Sequence, residues 1–137
     1  MQMQGKDLIQ SLLRELKCVV NNLEGVYLFG SRAQKEENAK SDWDFAYLSR
    51  TGVQEQKVWE MKTQLEIDFD TSIDVVDLYK ANTILQVQVI KTGEIIWAGD
   101  LNKIRQFEYL TLSYYQKLND ERAHILADVK RRGSVYG

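Results

Sequence analysis

The 137-residue chain contains no proline, one cysteine and one histidine, and the last two shortages each exclude a class of site. Cys18 has no second cysteine with which to form an intramolecular disulfide or a cysteine-based zinc site. His124 has no second histidine for a two-histidine metal site, and a lone histidine argues against a Ser-His-Asp triad. If the chain is an enzyme, its chemistry must therefore rest on carboxylates.

Long apolar runs are also missing. No stretch approaches the roughly 18 apolar residues of a membrane span, and residues 1–10 lack the apolar core of a signal peptide. A formal net charge of -2 predicts no general attraction to nucleic acid or to an anionic membrane. We therefore expect a cytoplasmic protein with neither a membrane nor a nucleic-acid partner.

The size and composition predict a single globular domain over residues 1–137. Hydrophobic residues make up 44% of the chain and charged residues 28%, which is ordinary for a globular protein. The charge is uneven, because residues 102–132 carry a balance of +3 and leave -5 for the rest. This basic segment is either a solvated helix face or a separate surface for a partner.

Apolar spacing predicts an alternation of helices and short strands. Helices are predicted over residues 6–23, 54–67, 82–91 and 101–132, and strands over residues 26–29, 42–48, 73–78 and 93–98. This order predicts an α/β (α+β) fold with a small mixed sheet flanked by helices, its core over about residues 1–98. The long last helix, with a possible break at Asn119 and Asp120, either folds back on the domain or docks a partner.

The most informative stretch begins with Gly30 and Ser31, directly after an apolar strand. A strand that ends in Gly-Ser and leads into a helix presents backbone N–H groups and a hydroxyl to an anion such as phosphate. Asp42 and Asp44 follow on the next strand, where they share one face while Trp43 packs behind them. Adjacent carboxylates repel each other unless a cation lies between them, and Mg²⁺ prefers such oxygen ligands.

A third carboxylate would complete a two-metal site. Asp74 lies between apolar neighbours in the third strand, where burial of its charge is costly unless it is paired or metal-bound. Asp77 is predicted on the other face of that strand and is the weaker candidate. Asp68 and Asp70 form a second Asp-x-Asp pair, but they fall in a predicted turn, so we interpret them as turn residues.

The pattern of Gly-Ser, ten residues, Asp-x-Asp and a later aspartate resembles the nucleotidyltransferase fold of the DNA polymerase β superfamily. The resemblance extends over about residues 26–78. The short chain and the segments VYLFGSRA, SDWDFAYL and SIDVVDL look like a minimal nucleotidyltransferase (MNT). They are more closely similar to the antitoxins of HEPN–MNT toxin–antitoxin pairs.

This resemblance implies an antitoxin that transfers AMP from ATP to a tyrosine hydroxyl of a cognate HEPN ribonuclease toxin and so neutralises it. The family mechanism implies that Asp42, Asp44 and Asp74 are catalytic and bind two Mg²⁺ ions. It also implies that three residues of the turn bind the nucleotide. The predicted site therefore consists of Gly30, Ser31, Arg32, Asp42, Asp44 and Asp74. HEPN ribonucleases carry an Arg-x4–6-His motif that this chain lacks, which places it on the antitoxin side.

Two alternatives stay open. The chain could transfer a nucleotide to a small hydroxylated molecule, as aminoglycoside-modifying relatives do, although those usually carry an additional substrate domain. It could instead be a non-catalytic subunit that neutralises its partner by contact alone. The second alternative is weakened because all three acidic positions of the motif are filled.

Overall fold

A computed structural model describes residues 2–33, 42–51 and 53–132 of the chain. It confirms the predicted alternation of helices and strands, with small shifts of the boundaries. The elements in chain order are α1 (Gln2–Val19), β1 (Gly25–Phe29), β2 (Trp43–Leu48), α2 (Glu55–Phe69), β3 (Ile73–Asp77), α3 (Thr83–Thr92), β4 (Glu94–Ala98) and α4 (Leu101–Arg132).

The strands form one mixed sheet in the order β3-β2-β1-β4. Strand β1 is antiparallel to both β2 and β4, whereas β2 and β3 are parallel. The predicted α+β class with a small mixed sheet is therefore confirmed. Because β3 lies at the edge of the sheet, one of its sides has no strand neighbour among the described residues.

Each face of the sheet has its own apolar core, because side chains alternate along each strand. Helices α1 and α2 pack on one face, where Leu12, Leu28 and Phe45 are buried. Helices α3 and α4 cover the other face, around Tyr27 and Ile104. The two cores fix which face of the sheet each strand aspartate occupies.

Helix α1 begins earlier and ends earlier than the predicted range of residues 6–23. It ends at Val19 because the chain turns at Asn22, whose φ of 53° lies in the left-handed region. Gly25 is already the first residue of β1, opposite Leu48. The apolar spacing continued past the helix because Leu23 still packs against the same core.

Helix α4 is continuous over 32 residues, or about 48 Å, so of the two interpretations of this segment the unbroken helix is confirmed and there is no break at Asn119 and Asp120. The segment contains neither glycine nor proline, so nothing in its backbone interrupts the helical hydrogen bonds. Only its first half packs, through Ile104, Phe107 and Thr111, whereas residues 119–127 are all exposed. No helix in the described ranges is long and apolar enough to cross a membrane.

A buried carboxylate links the start of β1 to α4 and to the segment after β3. Glu24 is 4% exposed; it accepts a hydrogen bond from the Tyr79 hydroxyl at 2.5 Å and pairs with Arg50 at 3.4 Å. Arg50 also donates to the Tyr79 hydroxyl and to Oε1 of Gln106 in α4. This network ties the packed half of α4 to the sheet.

Candidate active site

The turn after β1 is built on Gly30, whose φ of +76° lies in the region that favours glycine. Residues 31–33 continue as a turn, so the predicted Gly-Ser turn is confirmed. A β-carbon at position 30 would collide with Oδ2 of Asp44. The helix predicted to follow the turn would fall on residues 34–41, which lie outside the described residues.

Asp44 is the half-buried carboxylate at the centre of the site. It faces Phe29 in β1 on one side and Asp74 in β3 on the other. Burial raises the pKa of Asp44 first, and the negative charges of Asp74 and Asp42 raise it further. The charges of Asp42 and Asp74 therefore both act on Asp44, which lies at the end of the sheet where β2 and β3 begin.

Asp74 differs from the prediction in one respect, because its side chain is exposed rather than buried. It lies on the edge strand, at the end opposite the buried Leu78 that follows β3. The argument that Asp74 must be paired or metal-bound because of burial is therefore wrong. Burial acts on Asp44 instead, and Asp74 contributes to the site by its charge and its register with Asp44.

Trp43 packs behind the aspartates, as predicted. Its side chain leaves β2 on the opposite side from Asp44 and stacks on Phe45, with ring centroids 6.1 Å apart. The guanidinium of Arg32 lies 4.3 Å from the centroid of the Trp43 ring. Sequence reasoning missed this contact, since no spacing rule links a turn residue to this strand position. A role for Arg32 in nucleotide binding stays a prediction.

The second Asp-x-Asp pair lies at the end of α2. Helix α2 continues to Phe69, so Asp68 is a helical residue that accepts a hydrogen bond from Gln64 at 2.9 Å, and its assignment to a turn is wrong. Asp70 ends the helix in the left-handed conformation, with φ at 50°, so the assignment of Asp70 is confirmed. The helix runs two residues further than predicted, and this accounts for the difference.

The donor types of the site fit a divalent metal ion. Three carboxylates are the hard oxygen ligands that Mg²⁺ prefers. Burial raises the pKa of Asp44 most, and the charges of Asp74 and Asp42 raise it further, a repulsion that a cation between them would relieve. Across the described ranges, however, no three His, Cys, Asp or Glu side chains are placed to surround one ion. The structure thus contains carboxylates of the right chemical type, with Asp44 and Asp74 side by side in the sheet, but they do not surround a common point.

The mixed sheet, the glycine turn and the acidic cluster beside it are the arrangement of a nucleotidyltransferase. Residues 9–102 match the family described as polymerase beta, nucleotidyltransferase, and the chain belongs to this family. Within that class, it is 35% identical over 118 residues to the protein adenylyltransferase MntA of Shewanella oneidensis. The match covers 86% of this chain and 84% of MntA.

Solved structures agree with this relationship. A crystal structure of a toxin–antitoxin with AMP-PNP superposes with a TM-score of 0.74 at 32% identity, covering 88% of this chain and 97% of that chain. A complex of a tri-AMPylated Shewanella oneidensis HEPN toxin with its MNT antitoxin gives a TM-score of 0.70 at 33% identity, covering 95% and 99%. The predicted fold and the predicted resemblance to MNT antitoxins are confirmed.

Proposed function

We propose that this chain is an antitoxin that transfers AMP from ATP to a tyrosine hydroxyl of a cognate HEPN ribonuclease toxin and so neutralises it. The likeness to the MNT antitoxin bound to a tri-AMPylated HEPN toxin extends over 95% of this chain and supports the proposal. The structural observation that carries it is the close approach of the Gly30 turn to Asp44, which faces Asp74.

In this proposal, the turn after β1 binds the nucleotide. The left-handed Gly30 lets the backbone pass directly beside Asp44, and Ser31 adds a hydroxyl and an N–H group. Backbone N–H groups at such a turn bind phosphate oxygens without adding a further side chain. Arg32, stacked on Trp43, supplies a positive charge from the same turn.

The carboxylates differ in burial, and this suggests different roles. Asp42 and Asp44 would hold Mg²⁺ together with Asp74, and two ions would occupy the site, as in the family mechanism. When bound, Mg²⁺ neutralises phosphate charge and assists the ionisation of the acceptor hydroxyl. The half-buried Asp44 is held in place by the close turn at Gly30, whereas the exposed Asp74 is accessible to a side chain of a partner.

The acceptor is a tyrosine hydroxyl, whose ordinary pKa of about 10 leaves it protonated at neutral pH. We assign to Asp74 the acceptance of that proton, because its carboxylate is exposed beside Asp44. The phenolate oxygen then forms a bond to the α-phosphorus of ATP. The bond from that phosphorus to the bridging oxygen breaks, and pyrophosphate leaves.

The second half of α4 is proposed to dock the toxin, so that affinity and chemistry occupy different parts of the chain. Residues 119–127 are exposed, and they include Ile125 at 63% and Leu126 at 62% exposure. The basic balance of residues 102–132 contrasts with the acidic remainder. The proposal places the complex in the cytoplasm and includes neither a nucleic-acid nor a membrane partner.

Intact-mass spectrometry of the toxin tests this function. The full chain, ATP, Mg²⁺ and the toxin should yield toxin with added mass in steps of one AMP, and EDTA should prevent the addition. Parallel reactions replace the toxin with small hydroxylated acceptors. Modification of a small acceptor but not of the toxin would favour the aminoglycoside-type alternative. Neutralisation of the toxin without any added mass would favour the non-catalytic alternative.

A further inference from the structure

A cleft of about 430 Å³ lies between α2 and the edge strand β3, on the face of the sheet opposite Asp44. Asp77 at the end of β3 is paired in register with Tyr47, whose side chain belongs to the core beneath α1 and α2. The volume is within the range of small-ligand sites. The cleft is lined in part by Tyr47, Glu55, Trp59, Lys62, Val75 and Asp77.

Asp77 has a carboxylate oxygen that the described part of the protein leaves without a hydrogen-bond donor. Its Oδ1 atom is buried and has no hydrogen-bond donor among the described residues. A buried carboxylate oxygen without a donor is unfavourable, because it has lost its water and gained no substitute. A positively charged ligand in the cleft, which Asp77 lines, would offset the negative charge of this carboxylate.

The other charged side chains of the cleft already have partners. Glu55 pairs with Lys80 at 3.1 Å, and Lys62 pairs with Glu66 at 3.4 Å. Because each pair is neutral as a whole, the charge of Asp77 sets the sign of the cleft. The pKa of Tyr47 is consistent with a negatively charged cleft: burial raises it most, and the negative charges of Asp77 and Glu55 raise it further.

The outer wall of the cleft is aromatic. Trp59 is 57% exposed although it is a large apolar residue, and its side chain lines the cleft. An indole ring attracts a cation placed over its face, and a partly desolvated site strengthens this attraction. An alkylammonium ion combines a positively charged donor with a short apolar stem. In the cleft, Asp77 can face the charged donor, and Trp59 and Val75 can contact the apolar stem.

We propose that this cleft binds an alkylammonium ion, with Asp77 as its counter-ion and Trp59 as its aromatic wall. The same group occurs on a free aliphatic polyamine and on a lysine side chain, and the experiment below separates these sources. The inference does not rest on the proposed AMP transfer, because the cleft shares no residue with the Gly30 turn, and Asp44 and Asp74 lie on the other face of the sheet.

Isothermal titration of the full chain, without ATP, tests the proposal with defined probes. We expect saturable binding of 1,4-diaminobutane and no binding of the neutral 1,4-butanediol. Nα-acetyl-lysinamide represents a lysine side chain, so tighter binding of the diamine assigns the cleft to free polyamines, and the reverse order assigns it to a lysine. Absence of saturable binding for both amines, or equal binding of the diol, would overturn the proposal.

Variants locate the binding. Asp77→Asn keeps the size of the side chain and removes its charge, so the affinity for the preferred amine should fall at least about tenfold. Trp59→Leu should weaken it about threefold. Asp68→Asn, which removes a carboxylate of α2 outside the cleft, is the matched control and should bind like the unmodified chain.

Circular dichroism shows whether Asp77→Asn folds, and the proposal can be tested even if it does not. Trp59 is exposed, so Trp59→Leu keeps the core intact and carries the test alone. Unchanged affinity in a folded Asp77→Asn, or in Trp59→Leu if the first variant does not fold, would place any amine binding elsewhere and overturn the proposal.

Discussion

Gly30 and Asp44 approach each other so closely that a β-carbon at position 30 would collide with the Asp44 carboxylate. Gly30 directly follows Phe29, which ends β1 and faces Asp44 in the antiparallel strand β2. In the proposed site, Gly30 belongs to the turn that binds phosphate and Asp44 belongs to the metal-binding carboxylates. A single backbone approach therefore positions both halves of the site.

Gly30→Ala should impair both stability and AMP transfer. The φ of +76° is unfavourable for alanine by about 1–2 kcal/mol, and the new methyl group would displace the Asp44 carboxylate. Urea unfolding and a transfer assay measure the two effects. Gly5→Ala is the control: it lies in α1, its β-carbon would meet Trp43 at an ordinary 3.4 Å, and helix propensity predicts a gain of up to about 1 kcal/mol. Full activity in Gly30→Ala would contradict the proposed geometry.

Asp44→Asn should change how stability depends on pH. The pKa of Asp44 is raised in the folded chain by burial and by the charges of Asp74 and Asp42. Protonated Asp44 therefore favours the fold below the pKa of the unfolded chain, and this contribution is lost as the pH rises through the folded pKa. The asparagine does not ionise, so the variant does not lose this stability. As the pH rises from the unfolded pKa of Asp44 through its folded pKa, the free energy of unfolding of the variant should therefore increase relative to that of the unmodified chain. Parallel pH profiles from urea unfolding would contradict the electrostatic cluster.

Tyr79→Phe should destabilise the fold by about 1–3 kcal/mol, because it removes the hydroxyl that donates to the buried Glu24. Among the residues that the structure describes, the carboxylate would keep only its ion pair with Arg50. The same substitution at Tyr109, which is 72% exposed on α4, is the control and should be nearly neutral. Thermal unfolding of both variants provides the measurement; equal melting temperatures would show that the network contributes little.

Lys117→Glu with Arg122→Glu should weaken the complex with the toxin and leave nucleotide binding unchanged. Both side chains are exposed on α4, beyond the half that packs on the sheet. The loss of affinity should be larger at low salt than at high salt, because salt already screens part of the attraction of the unmodified chain. Titrations with toxin and with nucleotide measure the two effects separately. Lost nucleotide binding with an unchanged complex would place α4 in the active site.

Local sequence patterns predicted the strands and the Gly30 turn well, because each depends on near neighbours. Side-chain alternation is a local property, so the opposite positions of Trp43 and Asp44 follow from spacing. The Gly-Ser turn is equally local, since the left-handed Gly30 requires a residue without a β-carbon. The family motif then linked these short segments across the chain.

Features that depend on tertiary placement were not predictable in this way. Asp74 has an apolar local sequence, but the sheet order places it on an exposed edge strand. Asp44 is half-buried because the Gly30 turn passes beside it, a contact that no spacing shows. The unpartnered oxygen of Asp77 depends on how α2 lies along β3, so the sequence could identify the aspartate and not its surroundings.

The most direct test of the central claim compares AMP transfer by Asp44→Asn and Asp68→Asn, with the intact mass of the toxin as the readout. Both substitutions remove one carboxylate, but only Asp44 lies beside the Gly30 turn and opposite Asp74. The account predicts that Asp68→Asn transfers AMP at the unmodified rate. Asp44→Asn should still bind the toxin while its transfer rate falls at least about 100-fold. Undiminished transfer by Asp44→Asn, or loss of transfer in Asp68→Asn alone, would contradict the account.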